Sequence, residues 1–190
     1  GYGKRWAEFA KTQPGLRSES RTKSGNKSMW ENLPVSPRVI YAFTLSPQQV
    51  IMESEHGTAP AAMRLDCAIA GLQKGNPIRL CFDPMLYVPD WQQAYKELLV
   101  QADQSFQKAG AKWELLQDVS VGSFRISQDY LKKLRKSKPC AAVVQFPFEN
   151  VGGVYQYPRH LLEEMETWLV KELEMRLPTE KIYRDFRSAE

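Results

Sequence analysis

The chain has 190 residues, of which 43% are hydrophobic, so it can bury one good core, and its length favours a single domain over 1–190. Its 26 basic and 22 acidic residues give a net charge of +4, which permits an anionic partner but is not the lopsided composition of a strongly basic nucleic-acid binder. No apolar run reaches membrane-spanning length and no secretory signal is visible. These features predict a cytoplasmic protein without a membrane partner.

The cysteines and histidines do not form a recognisable metal motif. Cys67, Cys81 and Cys140 are too far apart for a CxxC pair, and two of them lie in apolar segments, which is typical of buried thiols in a reducing compartment. The two histidines are too few for a histidine-based metal site or catalytic triad. The phosphate-binding loops GxGxxG and GxxxxGK[ST], the GxSxG elbow and the HExxH pair are also absent. We therefore predict no metal site and assign no catalytic residue.

The first 38 residues form a polar N-terminal segment that is rich in lysine, arginine, serine and proline. A short helical turn around Trp6 is expected to end before Pro14. The segment 16–23, LRSESRTK, alternates side-chain types, so it is either an edge strand or a solvated basic loop.

From residue 39 onward, strand patterns alternate with helix patterns. The predicted strands are 39–44, 78–82, 114–121 and 141–146, with a last strand possible over 181–186. The predicted helices are 50–56, 60–74, 91–107, 128–138 and 159–177. Such alternation is typical of an α/β fold with a mostly parallel sheet. About four units are too few for a closed eight-stranded barrel, so the alternatives are an open doubly wound sheet and part of a barrel.

Polar residues occupy the ends of several predicted strands. The strand 78–82 stops at Asp83 because Pro84 has no N–H to continue the ladder. The corresponding residues elsewhere are Lys23, Ser24, Thr44, Ser123 and Arg125. If the strands are parallel, these side chains meet at one edge, where cations, hydroxyls and a carboxylate would suit a zwitterionic or multiply polar ligand.

Several short segments follow one another in a specific order along the chain. They are 16–24 (LRSESRTKS), 43–47 (FTLSP), 55–60 (EHGTAP) with Arg64, 82–84 (FDP), Trp91 with Tyr95, 119–124 (VSVGSF), 154–157 (VYQY) and 181–183 (KIY). This order resembles the C-terminal two-thirds of the spore photoproduct lyase family of radical S-adenosylmethionine enzymes, which are DNA repair lyases. The resemblance implies that the chain is part of a partial (βα) barrel of about six units.

The resemblance also implies a cofactor site. Lys23 matches the lysine that meets the methionyl carboxylate of S-adenosylmethionine, Thr44 replaces a serine that lines the pocket, and Asp83 stands where the adenosyl moiety is approached. Ser24 and Arg125 complete the expected cofactor-binding set. In the family a CxxxCxxC motif holds a [4Fe–4S] cluster, and this chain has no such motif. The cluster is therefore expected only in a longer chain, and this chain alone is expected to be inactive.

On the substrate side, Tyr155 and Tyr157 match the region near the substrate, and Ser123 is the third expected contact. The family carries a basic, aromatic-rich hairpin here, whereas this chain has 148–153, FENVGG, with a glutamate and no lysine. The resemblance implies DNA or another nucleic acid as partner, while the departure in the hairpin disfavours a thymine dimer and leaves another nucleic-acid lesion or a different substrate.

Two other functions remain open. The chain could be a non-catalytic nucleotide or nucleic-acid binding module derived from the same fold, or an unrelated α/β hydrolase or transferase, although no nucleophile is apparent. A barrel that lacks its first strands would expose one edge, which predicts self-association.

Overall fold

Five parallel strands form the main sheet of the protein, in a computed structural model that describes residues 2–138 and 141–184. The strands in chain order are β1 (Ser18–Thr22), β2 (Val39–Thr44), β3 (Ile78–Met85), β4 (Asp118–Ser123), β5 (Arg125–Ser127), β6 (Glu149–Val151), β7 (Val154–Gln156) and β8 (Ile182–Arg184). The main sheet has the order β1-β2-β3-β4-β8, and every neighbouring pair in it is parallel. A smaller antiparallel sheet has the order β5-β7-β6.

The helices follow the strands as the alternation predicts. They are α1 (Tyr2–Lys11), α2 (Lys27–Glu31), α3 (Gln48–Ser54), α4 (Ala61–Gln73), α5 (Trp91–Lys108), α6 (Gln128–Ser137), α7 (Ala142–Gln145) and α8 (Arg159–Glu174). Two short 3-10 turns lie at Trp113–Leu115 and Thr179–Lys181. The predicted helices 50–56, 60–74, 91–107, 128–138 and 159–177 are thus confirmed, with ends that differ by a few residues.

The two faces of the main sheet have different chemistry. Alternate residues of β2, β3 and β4 are buried apolar side chains that join the helices in one core, namely Val39, Tyr41, Phe43, Ile78, Leu80, Phe82, Val119 and Val121. The residues between them include Arg79, Asp83 and Asp118, which lie on the opposite face and form ion pairs there. In a doubly wound fold both faces of the parallel sheet would be apolar and covered by helices. The polar second face is the inner face of a partial (βα) barrel, and the fold is of this type.

The predicted strand over 141–146 is wrong. Residues 142–145 form the single turn α7, in which Val144 is buried against Ile126 and Leu131. The carbonyl of Val144 accepts a hydrogen bond from Nε of Arg135, 2.9 Å away. Four apolar residues in a row fit a short helix as well as a strand, and the place beside β4 is taken by β8 instead. The predicted last strand is therefore confirmed over 182–184, while residues 185 and 186 lie outside the described residues.

The predicted strand over 114–121 begins four residues later, as β4. The 3-10 turn occupies its first residues because Trp113 stacks on Phe106, with 5.0 Å between ring centroids. The indole Nε1 of Trp113 also donates a hydrogen bond to Asp103, at 2.9 Å. The buried Trp113 therefore packs with the preceding helix, although its apolar character predicted a strand at this position.

The polar N-terminal segment is part of the main fold. Its residues 18–22 form β1, which pairs in parallel with β2, so the strand alternative is correct. The indole Nε1 of Trp6 on α1 donates a hydrogen bond to Oγ of Ser18, at 3.0 Å. Trp30 on α2 is buried against Tyr41 and Phe43, with centroid distances of 5.2 and 4.7 Å. The polar composition of the segment did not predict these contacts, because only a few aromatic side chains, such as Trp6 and Trp30, attach it to the rest of the fold.

Candidate functional site

The carboxyl ends of β1 to β4 form one edge of the main sheet, which we call the carboxyl rim. Lys23 directly follows β1, Thr44 ends β2, and Asp83 lies near the end of β3. Parallel strands bring their terminal residues to the same edge, and in α/β folds this edge is where ligands bind. The structure thus gathers three of the sequence-predicted residues at the carboxyl rim.

Lys23 is held at the rim by a carboxylate that the sequence analysis did not assign to the site. Nζ of Lys23 lies 2.8 Å from Oε1 of Glu55, which also accepts a hydrogen bond from Oγ of Ser46 at 2.7 Å. Burial by itself would raise the pKa of Glu55, but the hydrogen bonds from Lys23, Ser46 and Arg64 outweigh it and leave that pKa below its ordinary value. Glu55 is therefore ionised at neutral pH and fixes the Lys23 ammonium.

The second oxygen of Glu55 binds a fully buried guanidinium. Nη2 of Arg64 lies 2.6 Å from Oε2 of Glu55 and donates to Oγ1 of Thr58 at 2.7 Å. Its Nε donates to the carbonyl of Ala59 at 2.7 Å, and its Nη1 donates to the carbonyl of Thr44 at 3.0 Å. A buried charge needs such a complete set of partners. Arg64 thus ties the end of β2 to the segment that precedes α4.

Asp83 lies on the inner face of the partial barrel. Its Oδ2 lies 3.2 Å from Nη1 of Arg21, and the two side chains are 21% and 41% exposed. Gly122 on the neighbouring strand β4 makes room for the carboxylate, because a Cβ at this position would lie only 3.2 Å from Oδ1. The Asp83 carboxylate is therefore packed against β4 and held by Arg21.

Ion pairs continue across the inner face toward the other end of the strands. Arg21 also pairs with Glu19 at 3.1 Å, Glu19 pairs with Arg79, and Arg79 forms a two-pronged pair with Asp118. The hydrogen bond with Asp118 is the main reason that the pKa of Arg79 lies above its ordinary value. We call this set of three carboxylates and two guanidiniums, Asp83 included, the inner-face ion network.

Ser24 lies beside Lys23 in the loop after β1. Its backbone N–H donates to Oγ1 of Thr22 at 3.0 Å, and its Oγ accepts a hydrogen bond from the backbone N–H of Asn26 at 3.2 Å. This loop lines an open cavity of about 590 Å³, whose other wall is the segment 57–59 and Met63. The cavity is large enough for part of a nucleoside-sized ligand.

Ser123 and Arg125 do not lie on the inner face. Ser123 alternates with Gly122, so its side chain points to the helix side, where it is buried. Its backbone N–H donates to Oε1 of Glu166 on α8, at 2.8 Å. Arg125 is exposed on β5 in the smaller sheet, opposite Gln156. The structure therefore separates these two residues from the side of the sheet that carries Asp83.

Tyr157 belongs to a group of aromatic rings just beyond the carboxyl rim. The members are Tyr87, Phe124, Phe146, Phe148 and Tyr157, and we call them the aromatic cluster. Ring centroids in contact lie between 4.7 Å, for Phe146 and Tyr157, and 6.4 Å. The Tyr157 hydroxyl accepts a hydrogen bond from the backbone N–H of Tyr87 at 2.9 Å, and burial raises its pKa to about 12. Tyr87 is the exposed member, at 41%.

Tyr155 lies next to this cluster on β7. It is half-buried and faces Ile126 across the smaller sheet. The strands β6 and β7 form a hairpin whose turn is Gly152 and Gly153, with φ of 58° and 86°. Positive φ at both positions is what a two-residue hairpin turn requires, and glycine adopts it without strain.

The described cysteines do not fit an iron–sulfur cluster. Cys67 on α4 and Cys81 on β3 are both buried, and burial is the main reason that their pKa values rise to about 11. Cys140 lies outside the described residues. Within 2–138 and 141–184, histidine, cysteine and carboxylate side chains form no group of three or more that could hold a metal ion. A cluster would need other residues.

Two parts of this site were not predicted from the sequence. The inner-face ion network had a detectable signal, because charged and small polar residues alternate in 19–23, ESRTK, with a period of two. Glu55 and Arg64 belong to the sequence segments that resemble the family, but the sequence did not predict a role for either residue. Glu55 contacts Lys23, which is far away in the chain, and Arg64 contacts Glu55, and local spacing does not encode these contacts.

The overall fold is similar to that of solved structures of one enzyme. Spore photoproduct lyase with bound AdoMet and dinucleoside spore photoproduct, in a mutant form, matches with a TM-score of 0.81 and 18% sequence identity over 96% of this chain. The complex of the lyase with dinucleoside spore photoproduct matches with a TM-score of 0.79, also at 18% identity over 96% of this chain. The protein has a spore photoproduct lyase-like fold.

This chain spans 54% of the length of each of those two lyase chains. No protein-family model and no curated protein sequence matches the chain, so the likeness to spore photoproduct lyase is one of structure. In the described part of the chain, no helix has the length and apolar character needed to cross a membrane.

Proposed function

We propose that this chain is the cofactor- and substrate-side part of a radical S-adenosylmethionine enzyme of the spore photoproduct lyase type. The observation that carries the proposal is the match over 96% of the chain to lyase structures with bound AdoMet and dinucleoside spore photoproduct. The position of Lys23, Thr44 and Asp83 at one rim of this fold supports it further. The fold match favours this function over an unrelated hydrolase or transferase.

The residues of the rim suit the functional groups of S-adenosylmethionine. The ammonium of Lys23 has three donors, of which one is directed to Glu55, so it can also bind the methionyl carboxylate. We propose that the Asp83 carboxylate accepts a hydrogen bond from a ribose hydroxyl, with Ser24 lining the cavity and Thr44 at the end of β2. Arg125 enters the proposed cofactor set only as a polar residue near a predicted strand end, and it lies on the smaller sheet. In radical enzymes the bound cofactor supplies an adenosyl radical, and the cluster that this requires is proposed to lie on residues outside this chain.

On the substrate side we propose a nucleic-acid lesion. The neighbours with dinucleoside spore photoproduct support this class of ligand, and the exposed Tyr87 of the aromatic cluster can supply a ring face for a base. Tyr155 and Tyr157 are the proposed substrate-side residues, whereas Ser123, which was predicted with them, is buried on the helix side of β4 and hydrogen-bonds Glu166. The hairpin carries Glu149 and no basic residue, which favours a substrate other than a thymine dimer.

A second candidate is a non-catalytic nucleotide or nucleic-acid binding module. It is favoured by one observation, namely that the described cysteines are buried on separate elements and do not fit a cluster. The two functions differ in what a longer natural chain would contain. If that chain binds a [4Fe–4S] cluster after anaerobic reconstitution, the enzyme is supported. If it binds a nucleotide or nucleic acid without a cluster, the binding module is supported.

Isothermal titration of the chain with S-adenosylmethionine tests the cofactor site. We expect weak but measurable binding, which Lys23→Ala reduces at least several-fold because the carboxylate loses its cation. Lys27→Ala is the matched control, since this nearby lysine is exposed. Thermal melts of both variants separate a binding defect from misfolding. Equal binding by wild type, Lys23→Ala and Lys27→Ala would reject the proposed rim.

We also propose self-association through β1, which is an edge strand of the main sheet. Exposed strand edges accept further strands, and Phe9 and Met29 on the adjacent helices are 49% and 44% exposed. Sedimentation velocity should show a concentration-dependent dimer. A clean monomer at all concentrations would contradict it.

The free thiols of Cys67 and Cys81 support a reducing, cytoplasmic location.

A further inference from the structure

The residues 128–138, which contain α6, are unusually basic. They carry five of the 26 basic residues of the chain and one of its 22 acidic residues, which leaves 21 residues of each sign in the rest of the chain. The basic residues are Lys132, Lys133, Arg135, Lys136 and Lys138, and the acidic one is Asp129. This local excess equals the net charge of +4 of the whole chain.

Three of these lysines share the solvent side of the helix. Lys132, Lys133 and Lys136 are exposed, while Leu131 on the opposite side is buried. Within the described ranges no carboxylate forms an ion pair with any of the three. Lys132 and Lys136 are four residues apart on one helix face, where like charges repel each other and destabilise the helix slightly. Such a face gains stability when an anionic partner neutralises it. We call these three residues the basic face of α6.

The helix is fixed next to the hairpin and the aromatic cluster. The backbone N–H of Gln128, the first residue of α6, donates to the carbonyl of Gly153 in the hairpin turn, at 3.0 Å. Nε of Arg135 donates to the carbonyl of Val144, two residues before Phe146 of the cluster. The hairpin itself offers Glu149 and the exposed Val151 and Val154. The hairpin therefore adds no positive charge, whereas α6 carries three exposed lysines next to it.

We propose that the basic face of α6 binds the phosphate backbone of a nucleic acid whose base lies at the aromatic cluster. This inference rests on the proposed nucleic-acid substrate and adds the surface that holds it. Lysine ammonium groups neutralise phosphates as point charges and carry no base specificity. The chain thus compensates for the uncharged hairpin with a neighbouring helix, and the contact is expected to be independent of sequence and strongly dependent on salt.

The test measures binding of a short fluorescein-labelled oligothymidylate by fluorescence anisotropy at several NaCl concentrations. The variant K132Q/K133Q/K136Q is expected to bind about tenfold more weakly or worse at low salt, and its slope of log K against log salt should be smaller by about 2. The control K96Q/K108Q/K112Q removes the same charge from exposed lysines of α5 and the loop after it. It should bind within about twofold of wild type, and circular dichroism should show both variants folded.

Each outcome decides between the proposals. If wild type binds the oligonucleotide and the two triple variants lose affinity equally, the basic face is rejected while a nucleic-acid partner stands. If wild type does not bind the oligonucleotide, both the basic face and the nucleic-acid substrate are rejected, and the S-adenosylmethionine titration still tests the cofactor rim separately. Binding to phosphatidylserine vesicles without binding to the oligonucleotide would also overturn the proposal, because the face would then recognise a membrane surface.

Discussion

Arg64 and Glu55 form an ion pair at the carboxyl rim, with 2.6 Å between Nη2 and Oε2, in which the arginine side chain is fully buried. A buried pair gains little stability unless hydrogen bonds occupy its remaining donors and acceptors. Here Ser46 and Lys23 bind the Glu55 carboxylate, and Oγ1 of Thr58 accepts a hydrogen bond from the Arg64 guanidinium. The pair therefore fixes the geometry of the rim, including the position of the Lys23 ammonium.

The first prediction concerns the removal of the Glu55 charge. Glu55→Gln should destabilise the fold by about 3 kcal/mol, because Arg64 keeps its buried charge without a charged partner. Urea unfolding measures this loss. Glu53→Gln is the matched control on α3, where the side chain is exposed and its loss should cost no more than about 0.5 kcal/mol. Equal stability of the two variants would show that the pair does not hold the rim.

The same pair predicts a pH dependence. Because the pKa of Glu55 is lowered in the folded protein, the unfolded chain binds the proton more tightly. The stabilisation is then fully present above the ordinary glutamate pKa of about 4.3 and is lost as pH falls through the lower folded value. The stability difference between wild type and Glu55→Gln should therefore shrink in acid. A difference that stays constant down to pH values below the ordinary pKa would contradict the lowered value.

The part of the fold that could be predicted from the sequence is the part that local patterns encode. β2 and β3 each have an apolar run that is followed by a polar residue and a proline. This pattern is typical of a buried strand and fits few other structures. The run before Phe146 was ambiguous because its packing partner, Ile126, lies in another element. The site was predictable only as a set of strand ends. The partners of Lys23 and Asp83 depend on how distant strands and loops meet, and local spacing does not encode this.

A second prediction concerns the centre of the inner-face ion network. Arg79 lies between Glu19 and Asp118, and its side chain is 19% exposed. Arg79→Met should cost about 2 kcal/mol, because two partly buried carboxylates lose their shared cation. Arg5→Met on α1 is the control, since Arg5 is exposed and its replacement should be nearly neutral. Thermal or urea unfolding of both variants gives the comparison, and a cost for Arg79→Met as small as the control's would mean that the network adds no stability.

A third prediction concerns the thiols of Cys67 and Cys81. Both are buried, and burial raises both pKa values to about 11, so few thiolates are present at pH 8. In a Cys140→Ser background, Ellman's reagent should label them only after denaturant unfolds the chain. The same reagent on fully denatured protein provides the count of two thiols. Fast labelling of the native protein would show that one of these cysteines is accessible.

The fourth prediction concerns Glu166, which holds the end of β4 against α8. Its side chain is 4% exposed, Oε1 accepts the hydrogen bond from the backbone of Ser123, and Oε2 lies 3.7 Å from Nη2 of Arg184. Burial raises the pKa of Glu166, and the contacts with Ser123 and Arg184 offset only part of this rise. Ionised Glu166 therefore opposes folding to some extent at neutral pH.

Glu166→Gln tests this through the sign of its pH dependence. The folded carboxyl binds a proton more tightly than the unfolded one, whose pKa is about 4.3, so stability from this group falls as pH rises from that value through the raised folded value. The amide oxygen of glutamine still accepts the Ser123 hydrogen bond and does not titrate. The stability of wild type relative to Glu166→Gln should therefore decrease over this window and stay constant above it, as measured by urea unfolding. Glu164→Gln, at an exposed position on the same helix, should show no such trend. A relative stability of wild type that rises with pH would mean that Arg184 stabilises the carboxylate more than burial penalises it.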